Sequence, residues 1–285
     1  MRQIERSIFK AYDIRGLYPE QLDEDIAYRI ARAYAQMLKP KLTVVGRDMR
    51  VSGSALVDLV VRGLIDQGSD VIDIGLTSTP MYYYAVNALK ADAGVMITAS
   101  HNPGHYNGFK LTGPEAKPSV GFVSNEDLYN LANSGQFEEP VRQGALRDSF
   151  CPLDGYVQAV LETSGVTDFG NLKIVVDAAN GMAGMILPKL FEGKNCTVYP
   201  LYFELDGTFP NHEANPLKEE TYADLKAKMA EVGADLGVYY DGDADRVGFV
   251  DDKLQVVQGD FITTMIALEM LKEKPGATIM YDLRS

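Results

Sequence analysis

Two short runs carry residue types that could do chemistry together. Thr98-Ala99-Ser100-His101-Asn102-Pro103 follows the apolar stretch Ala93-Gly94-Val95-Met96-Ile97, and Asp241-Gly242-Asp243-Ala244-Asp245-Arg246 follows Leu236-Gly237-Val238-Tyr239-Tyr240. In the first, a strand delivers a serine into a polar turn that Pro103 stiffens and Gly104 releases, which is expected to hold a hydroxyl still and exposed. In the second, carboxylates at alternate positions can converge on one cation, with the small Gly242 and Ala244 between them. Oxygen ligands without His or Cys suit Mg²⁺, which keeps room for a phosphate oxygen. Together the loops point to metal-assisted phosphoryl chemistry on a serine. A phosphate on Ser100 would bring nearly two negative charges, and a cation at the aspartates would neutralise them.

Blander readings weigh less. A solvated acidic turn would leave three acids repelling one another behind a buried strand. An EF-hand needs glycine at its sixth loop position, where Arg246 stands, and helices rather than strands as flanks. No Gly-x-Ser-x-Gly elbow supports a hydrolase triad. An anionic substrate needs cations, and the candidates are Lys10 and Arg15 in Phe9-Lys10-Ala11-Tyr12-Asp13-Ile14-Arg15-Gly16, then Arg47, Arg50, Lys110 and Arg246. Arg246 adjoins the carboxylates, and Lys110 lies on the strand expected to return from the serine turn. Arg47 and Arg50 read as structural. His101 orients or caps the serine loop, and His105 and His212 read as surface residues. Tyr82-Tyr83-Tyr84 reads as packing.

Composition narrows the class. The 285 residues suffice for two domains, and 46% hydrophobic with 24% charged is ordinary for a soluble globular chain. A net charge of −13 offers no basic stripe for nucleic acid, although local cations or a metal can still attract a small anion. No window approaches the ~18 apolar residues of a membrane span, and the N-terminus has no secretory apolar core. Two distant cysteines, Cys151 and Cys196, form no disulfide framework, and three histidines exclude a His-rich metal site. The expected compartment is the cytoplasm, which gives the glycosylation triplet Asn195-Cys196-Thr197 little meaning.

The elements that must position the two loops alternate. Strands are expected at 42–45, 71–74, 93–97 and 108–111, and helices at 54–67 and from Thr79 and Pro80 (N-cap and first turn) to Leu89. A second unit begins near residue 150, with helices at 156–161, 182–191 and 222–232 and strands at 172–176, 197–199 and 236–240. Three segments resemble one another: residues 44–50, 174–180 and 279–284 are each an apolar strand ending in Asp before a polar stretch. They read as the opening strands of three related domains. The third, with the helical stretch 261–272 before it, cannot bury its own faces, so the chain is expected to be an N-terminal piece of a longer protein.

On these residues the chain resembles the α-D-phosphohexomutases, in particular their phosphomannomutase/phosphoglucomutase branch. The motifs are residues 10–16, 98–103 and 241–246, joined by Leu205-Asp206-Gly207-Thr208-Phe209-Pro210-Asn211-His212. The resemblance implies an α/β fold of consecutive related three-layer α/β/α domains with mixed sheets and a cleft between them. The divisions would be 1–150 with the phosphoserine loop, 151–255 with the metal loop, and 256–285 opening a truncated third domain, with the fourth absent. It implies a phosphoserine at Ser100, and Mg²⁺ held by Asp241, Asp243, Asp245 and an oxygen on Ser100. Arg15 and Lys110 would be acid/base or charge-stabilising groups, with His101 catalytic beside them and Tyr12, Arg246 and Lys110 contacting substrate. The reaction would interconvert hexose 1-phosphate and hexose 6-phosphate, of mannose or glucose, through a bound hexose 1,6-bisphosphate. The Tyr-Asp-Ile-Arg-Gly form and Thr98 point away from the phosphoglucosamine mutase branch. Two readings of other classes are a phosphatase with an aspartate nucleophile and a non-catalytic Mg²⁺-binding piece.

Overall fold

The computed structural model describes residues 2–281. Its first half runs β1 (Ile14–Leu17), α1 (Glu24–Leu38), β2 (Leu42–Arg47), α2 (Gly53–Asp66), β3 (Asp70–Leu76), α3 (Thr79–Ala88), β4 (Ala93–Ile97), β5 (Tyr106–Thr112) and α4 (Asn125–Ser134). Alternation along β4 decides which side chains meet which helices. Ala93, Val95 and Ile97 join the core under α1 and α2, while Met96 joins the smaller core under α3. Not anticipated from the motifs is α1. Asp23 caps it by accepting the Ile26 N–H at 2.9 Å, and Glu24 and Asp25 place negative charge at the positive end of its dipole.

The second half runs α5 (Leu153–Ser164), β6 (Lys173–Asp177), α6 (Ala183–Phe191), β7 (Thr197–Leu201), α7 (Ala223–Val232), β8 (Leu236–Tyr240), β9 (Val247–Val250), β10 (Val256–Val257) and α8 (Gly259–Glu273). Here too the sheet separates two cores. Val175 and Tyr239 pack with Leu225 and Met229 of α7, and Val176 and Val238 pack with Ala183 and Leu187 of α6. No residue of α8 is buried, and Phe261, Met265, Ile266 and Leu268 stand exposed on it.

The two sheets share one plan. Their orders are β1-β5-β4-β2-β3 and β10-β9-β8-β6-β7. In each, one inner strand, β2 or β6, is parallel to both neighbours, and an antiparallel strand returns beside the third parallel one. The edge strand comes from the start of the first unit but from the end of the second. The resemblance between residues 44–50 and 174–180 therefore reflects equivalent strands, β2 and β6. The third copy expected at 279–284 falls partly outside the described residues, and 279–281 form no strand.

One consequence of the plan places the site. The serine turn leaves the carboxyl end of β4 and the aspartate loop leaves the carboxyl end of β8, so both occupy the same position in the repeat. In open α/β sheets, ligands collect beyond the carboxyl ends of the parallel strands.

His212 departs from its expected place on the surface; His105 does not. The His212 Nε2 lies 2.9 Å from Asp177 Oδ2 at the end of β6, and its ring stands edge-on to Tyr202 and Tyr239. Burial opposes protonation, but the hydrogen bond and charge of Asp177 outweigh it, and the His212 pKa is raised. The pair's stabilisation is thus full below the ordinary histidine value and is lost as pH rises through the raised one. Urea denaturation at a series of pH values should show His212→Gln less stable than the parent by about 1 kcal/mol at mildly acidic pH, after solvent screening, with the gap closing at alkaline pH.

Candidate active site

Ser100 is reached from β4 through Thr98, whose Oγ1 accepts the Ser100 N–H at 2.9 Å. This pulls Ser100 into the left-handed region at φ 53°, a conformation costly for a residue with a Cβ and typical of functional turns. Its Oγ donates to Asp241 Oδ2 at 3.0 Å and lies 3.4 Å from His101 Nδ1. The hydroxyl is therefore not exposed as expected. Ser100 is only 1% accessible, because the aspartate loop of the second unit closes over it.

That loop turns tightly, with Ala244 at φ 58°. Asp241, Asp243 and Asp245 each offer an oxygen within 4.8 Å of the others. Asp241 Oδ1 accepts the N–H groups of Asp245 and Arg246, both at 3.1 Å. Asp243 Oδ2 accepts from Lys110 Nζ at 2.6 Å and from Thr79 Oγ1 at 2.5 Å. Lys110 Nζ also donates to Asp245 at 2.6 Å. Lys110 reaches them because β5 returns antiparallel to β4, pairing Lys110 with Met96. Behind the loop, the turn after β6 supports it: the Met182 N–H donates to the Gly242 carbonyl at 2.9 Å.

The electrostatics follow from crowding. Burial, with the charges of Asp243 and Asp245, pushes the Asp241 carboxyl far above the usual carboxylate range. Burial acts the same way on Asp243, but the Lys110 charge and hydrogen bond outweigh it and hold its pKa down. Lys110 loses by burial yet gains more from the two aspartates, so its pKa is raised. Asp243 Oδ1 is buried and has no hydrogen-bond partner among the described residues. A buried, orphaned carboxylate oxygen beside two other carboxylates fits a hard divalent cation. The all-oxygen set agrees with Mg²⁺.

The other expected residues divide. Arg15 is held by Asp13, with Nε at 2.8 Å and a second nitrogen at 2.7 Å, and reaches the serine loop through Asn102 Oδ1 at 3.1 Å. Lys10, Asp13, Arg15, Asn102 and Tyr106 line a cavity of about 520 Å³ beside that loop. His101 is driven down to about 4, first by burial and then by the Arg246 and Arg15 charges, so it is neutral at neutral pH. Among the described residues the Arg246 side chain forms no hydrogen bond or ion pair. It borders a larger cavity, about 860 Å³, between β9, β10 and the start of α8 on one side and residues of the 216–226 segment on the other. Tyr12 is 75% exposed, and among the described residues its side chain forms no hydrogen bond.

Two contributors were not legible as such. Thr79 was expected to cap α3, but Ser78 does so, accepting the Met81 N–H at 3.2 Å. That frees the Thr79 hydroxyl for Asp243. The Ser78-Thr79-Pro80 triplet offers two hydroxyls where a cap needs one, and this was the available signal. The second is Arg50, considered below.

Comparison with known proteins agrees with this geometry. Residues 6–136 match the model for phosphoglucomutase/phosphomannomutase, alpha/beta/alpha domain I, and residues 154–255 match domain II. The chain belongs to the α-D-phosphohexomutase family. It is 41% identical over 287 residues to a phosphomannomutase of Escherichia coli, covering 97% of this chain and 62% of that protein. It is 41% identical over 282 residues to a phosphomannomutase/phosphoglucomutase of Pseudomonas putida, covering 98% and 59%. The crystal structure of a phosphoglucomutase/phosphomannomutase family protein from Burkholderia thailandensis superposes with a TM-score of 0.87 at 35% identity, covering 96% of this chain and 61% of that one. The chain thus spans about three fifths of the relatives it matches. The two-domain α/β fold with mixed sheets agrees with these matches.

Lys110 supplies the only cation bonded to the three carboxylates among the described residues. Lys110→Met should therefore lower thermal stability without divalent metal. Millimolar Mg²⁺ should then raise the melting temperature of the variant more than that of the parent, as binding to the native state alone requires. Differential scanning calorimetry with and without Mg²⁺ checks this.

Proposed function

We propose that this chain carries the phosphoserine and metal-binding halves of a phosphohexomutase active site, acting on hexose phosphates of mannose or glucose. The observation that carries the reading is the Ser100 Oγ to Asp241 Oδ2 contact at 3.0 Å, which joins the serine of one unit to the carboxylates of the next. The proposed division is residues 1–150 for the first domain, 151–255 for the second and 256–285 opening another. The cytoplasm is the proposed compartment; among the described residues no helix is long and apolar enough to cross a membrane.

In the proposed reaction Ser100 carries a phosphoryl group. Its Oγ–P bond breaks as a sugar hydroxyl oxygen bonds to phosphorus, and the hydroxyl proton passes to a base of the site. The resulting bisphosphate turns over and returns its other phosphoryl group to Ser100, giving net exchange between positions 1 and 6. Mg²⁺ held by Asp241, Asp243 and Asp245 would offset charge on the transferring group. Arg15 and Lys110 are the proposed charge-stabilising or acid/base groups, and neutral His101 sits close enough to Ser100 Oγ to take part. Arg246, whose side chain has no partner among the described residues, is the proposed substrate contact, and the exposed Tyr12 is proposed as a second. The Asp241 hydrogen bond must give way before Ser100 can be phosphorylated.

An aspartate-nucleophile phosphatase is less well supported. Both Asp241 oxygens are engaged, by two backbone N–H groups and by Ser100. Incubation with glucose 1,6-bisphosphate and Mg²⁺ separates the readings. Intact-mass analysis should find one phosphoryl group, mapping to Ser100 and absent from Ser100→Ala. Label on an aspartate supports the phosphatase, and no label supports a non-catalytic piece. Arg15→Ala should slow the labelling by about 10²-fold, the cost of losing one charge-stabilising donor.

A further inference from the structure

Arg50 lies outside the reacting groups, yet its side chain is fully buried directly beneath the serine loop. A guanidinium has five N–H donors in a rigid fork, and here all five are used. Nε donates to Asp48 Oδ2 at 3.2 Å. One terminal nitrogen donates to the carbonyls of Pro103 at 2.7 Å and Tyr106 at 3.0 Å. The other donates to the carbonyls of Ser100 at 2.7 Å and Asn102 at 2.6 Å. One side chain thus ties four carbonyls of a seven-residue turn that includes the strained Ser100.

The second unit covers the same group. The Phe209 ring centre is 5.2 Å from the Arg50 guanidinium carbon. Phe209 also approaches the aspartate loop, where a Cβ added to Gly242 would lie 3.3 Å from its ring edge and 2.9 Å from the Ser100 carbonyl oxygen. The seam leaves no slack: a Cβ on Gly207 would sit 2.5 Å from Arg50 Cα, and one on Gly104 would sit 2.5 Å from the Gly207 carbonyl oxygen.

We propose that Arg50 is the positioning residue of the serine loop. It fixes the backbone from Ser100 to Tyr106 so that the hydroxyl can exchange Asp241 for a phosphoryl group while the backbone stays in place. The proposal rests on the reading that Ser100 is the phosphoryl carrier. Phe209 couples that fixed backbone to the metal-binding loop. Lysine cannot replace the fork, because three donors on one nitrogen cannot reach four carbonyls and Asp48 together.

The test compares the parent chain, Arg50→Lys and Phe209→Leu by two readouts. Hydrogen exchange followed by mass spectrometry reads the loop itself. In Arg50→Lys the amides of residues 98–107 should exchange about tenfold faster or more, while β2 and β4 keep their protection. Labelling by glucose 1,6-bisphosphate reads the chemistry. Its rate constant should fall about tenfold or more with the final amplitude retained, whereas a purely structural loss would reduce amplitude and leave the rate constant of the folded fraction unchanged. Phe209→Leu keeps the fork and should show a smaller change of the same kind, which decides the matter if Arg50→Lys does not fold. Parent-like exchange in 98–107, or faster exchange spread evenly over the domain, overturns the proposal. If the parent chain itself takes no label, the proposed activity fails, while the exchange data still decide what Arg50 does.

Discussion

Three carboxylates brought together, two of them buried out of water, repel one another, and the seam between the two units answers that repulsion. Lys110 reaches in from β5, Thr79 donates from the start of α3, and Ser100 donates from the turn after β4. Each of these partners belongs to the first unit, whereas the carboxylates belong to the second. The charge of the second unit's loop is thus answered from across the seam. The compensation is incomplete: Asp243 Oδ1 has no partner among the described residues, and Asp241 is pushed toward its neutral form. A pair of hydrogen bonds can be satisfied within a protein, but an orphaned oxygen in a cluster of acids calls for a further cation.

The repeated sheet explains why these groups meet. A turn after the third parallel strand carries the proposed phosphoryl acceptor in one unit and the candidate metal loop in the other. Because both leave the carboxyl ends of equivalent strands, docking those ends brings a serine to an aspartate without a long excursion of the chain. The strain at Ser100 and Ala244 is held by local bonds, from Thr98 and Arg50 on one side and from the aspartate loop's own backbone N–H groups on the other. Such strain persists only where the surroundings over-determine the backbone.

Much of this was legible from residue order. Strands ending in Ser100 and Asp241 announce themselves by apolar runs broken by polar turns, and the internal resemblance between residues 44–50 and 174–180 anticipates the common sheet plan. What sequence alone could not supply is contact across the seam. Ser100 reads as exposed because nothing in its own turn covers it; Asp241, 141 residues away in the chain, does so. Thr79 reads as a helix cap because capping is local and its true partner, Asp243, is not. His212 reads as a surface residue because Asp177 lies 35 residues before it. Arg50 reads as structural, which is right about burial and silent about the four carbonyls it gathers. Tyr12 stands out only by motif, and among the described residues its side chain is bonded to neither loop.

On this reading the serine of one unit and the carboxylates of the other form a single cation site. Crystals of this chain grown with Mn²⁺ in place of Mg²⁺ test it most directly, through the anomalous signal of the metal. One peak is expected in contact with Asp241, Asp243, Asp245 and the Ser100 hydroxyl, with Lys110 displaced from at least one carboxylate. The absence of a peak at saturating Mn²⁺, or a peak that leaves Ser100 bonded to Asp241 and Lys110 still bridging Asp243 and Asp245, would contradict it.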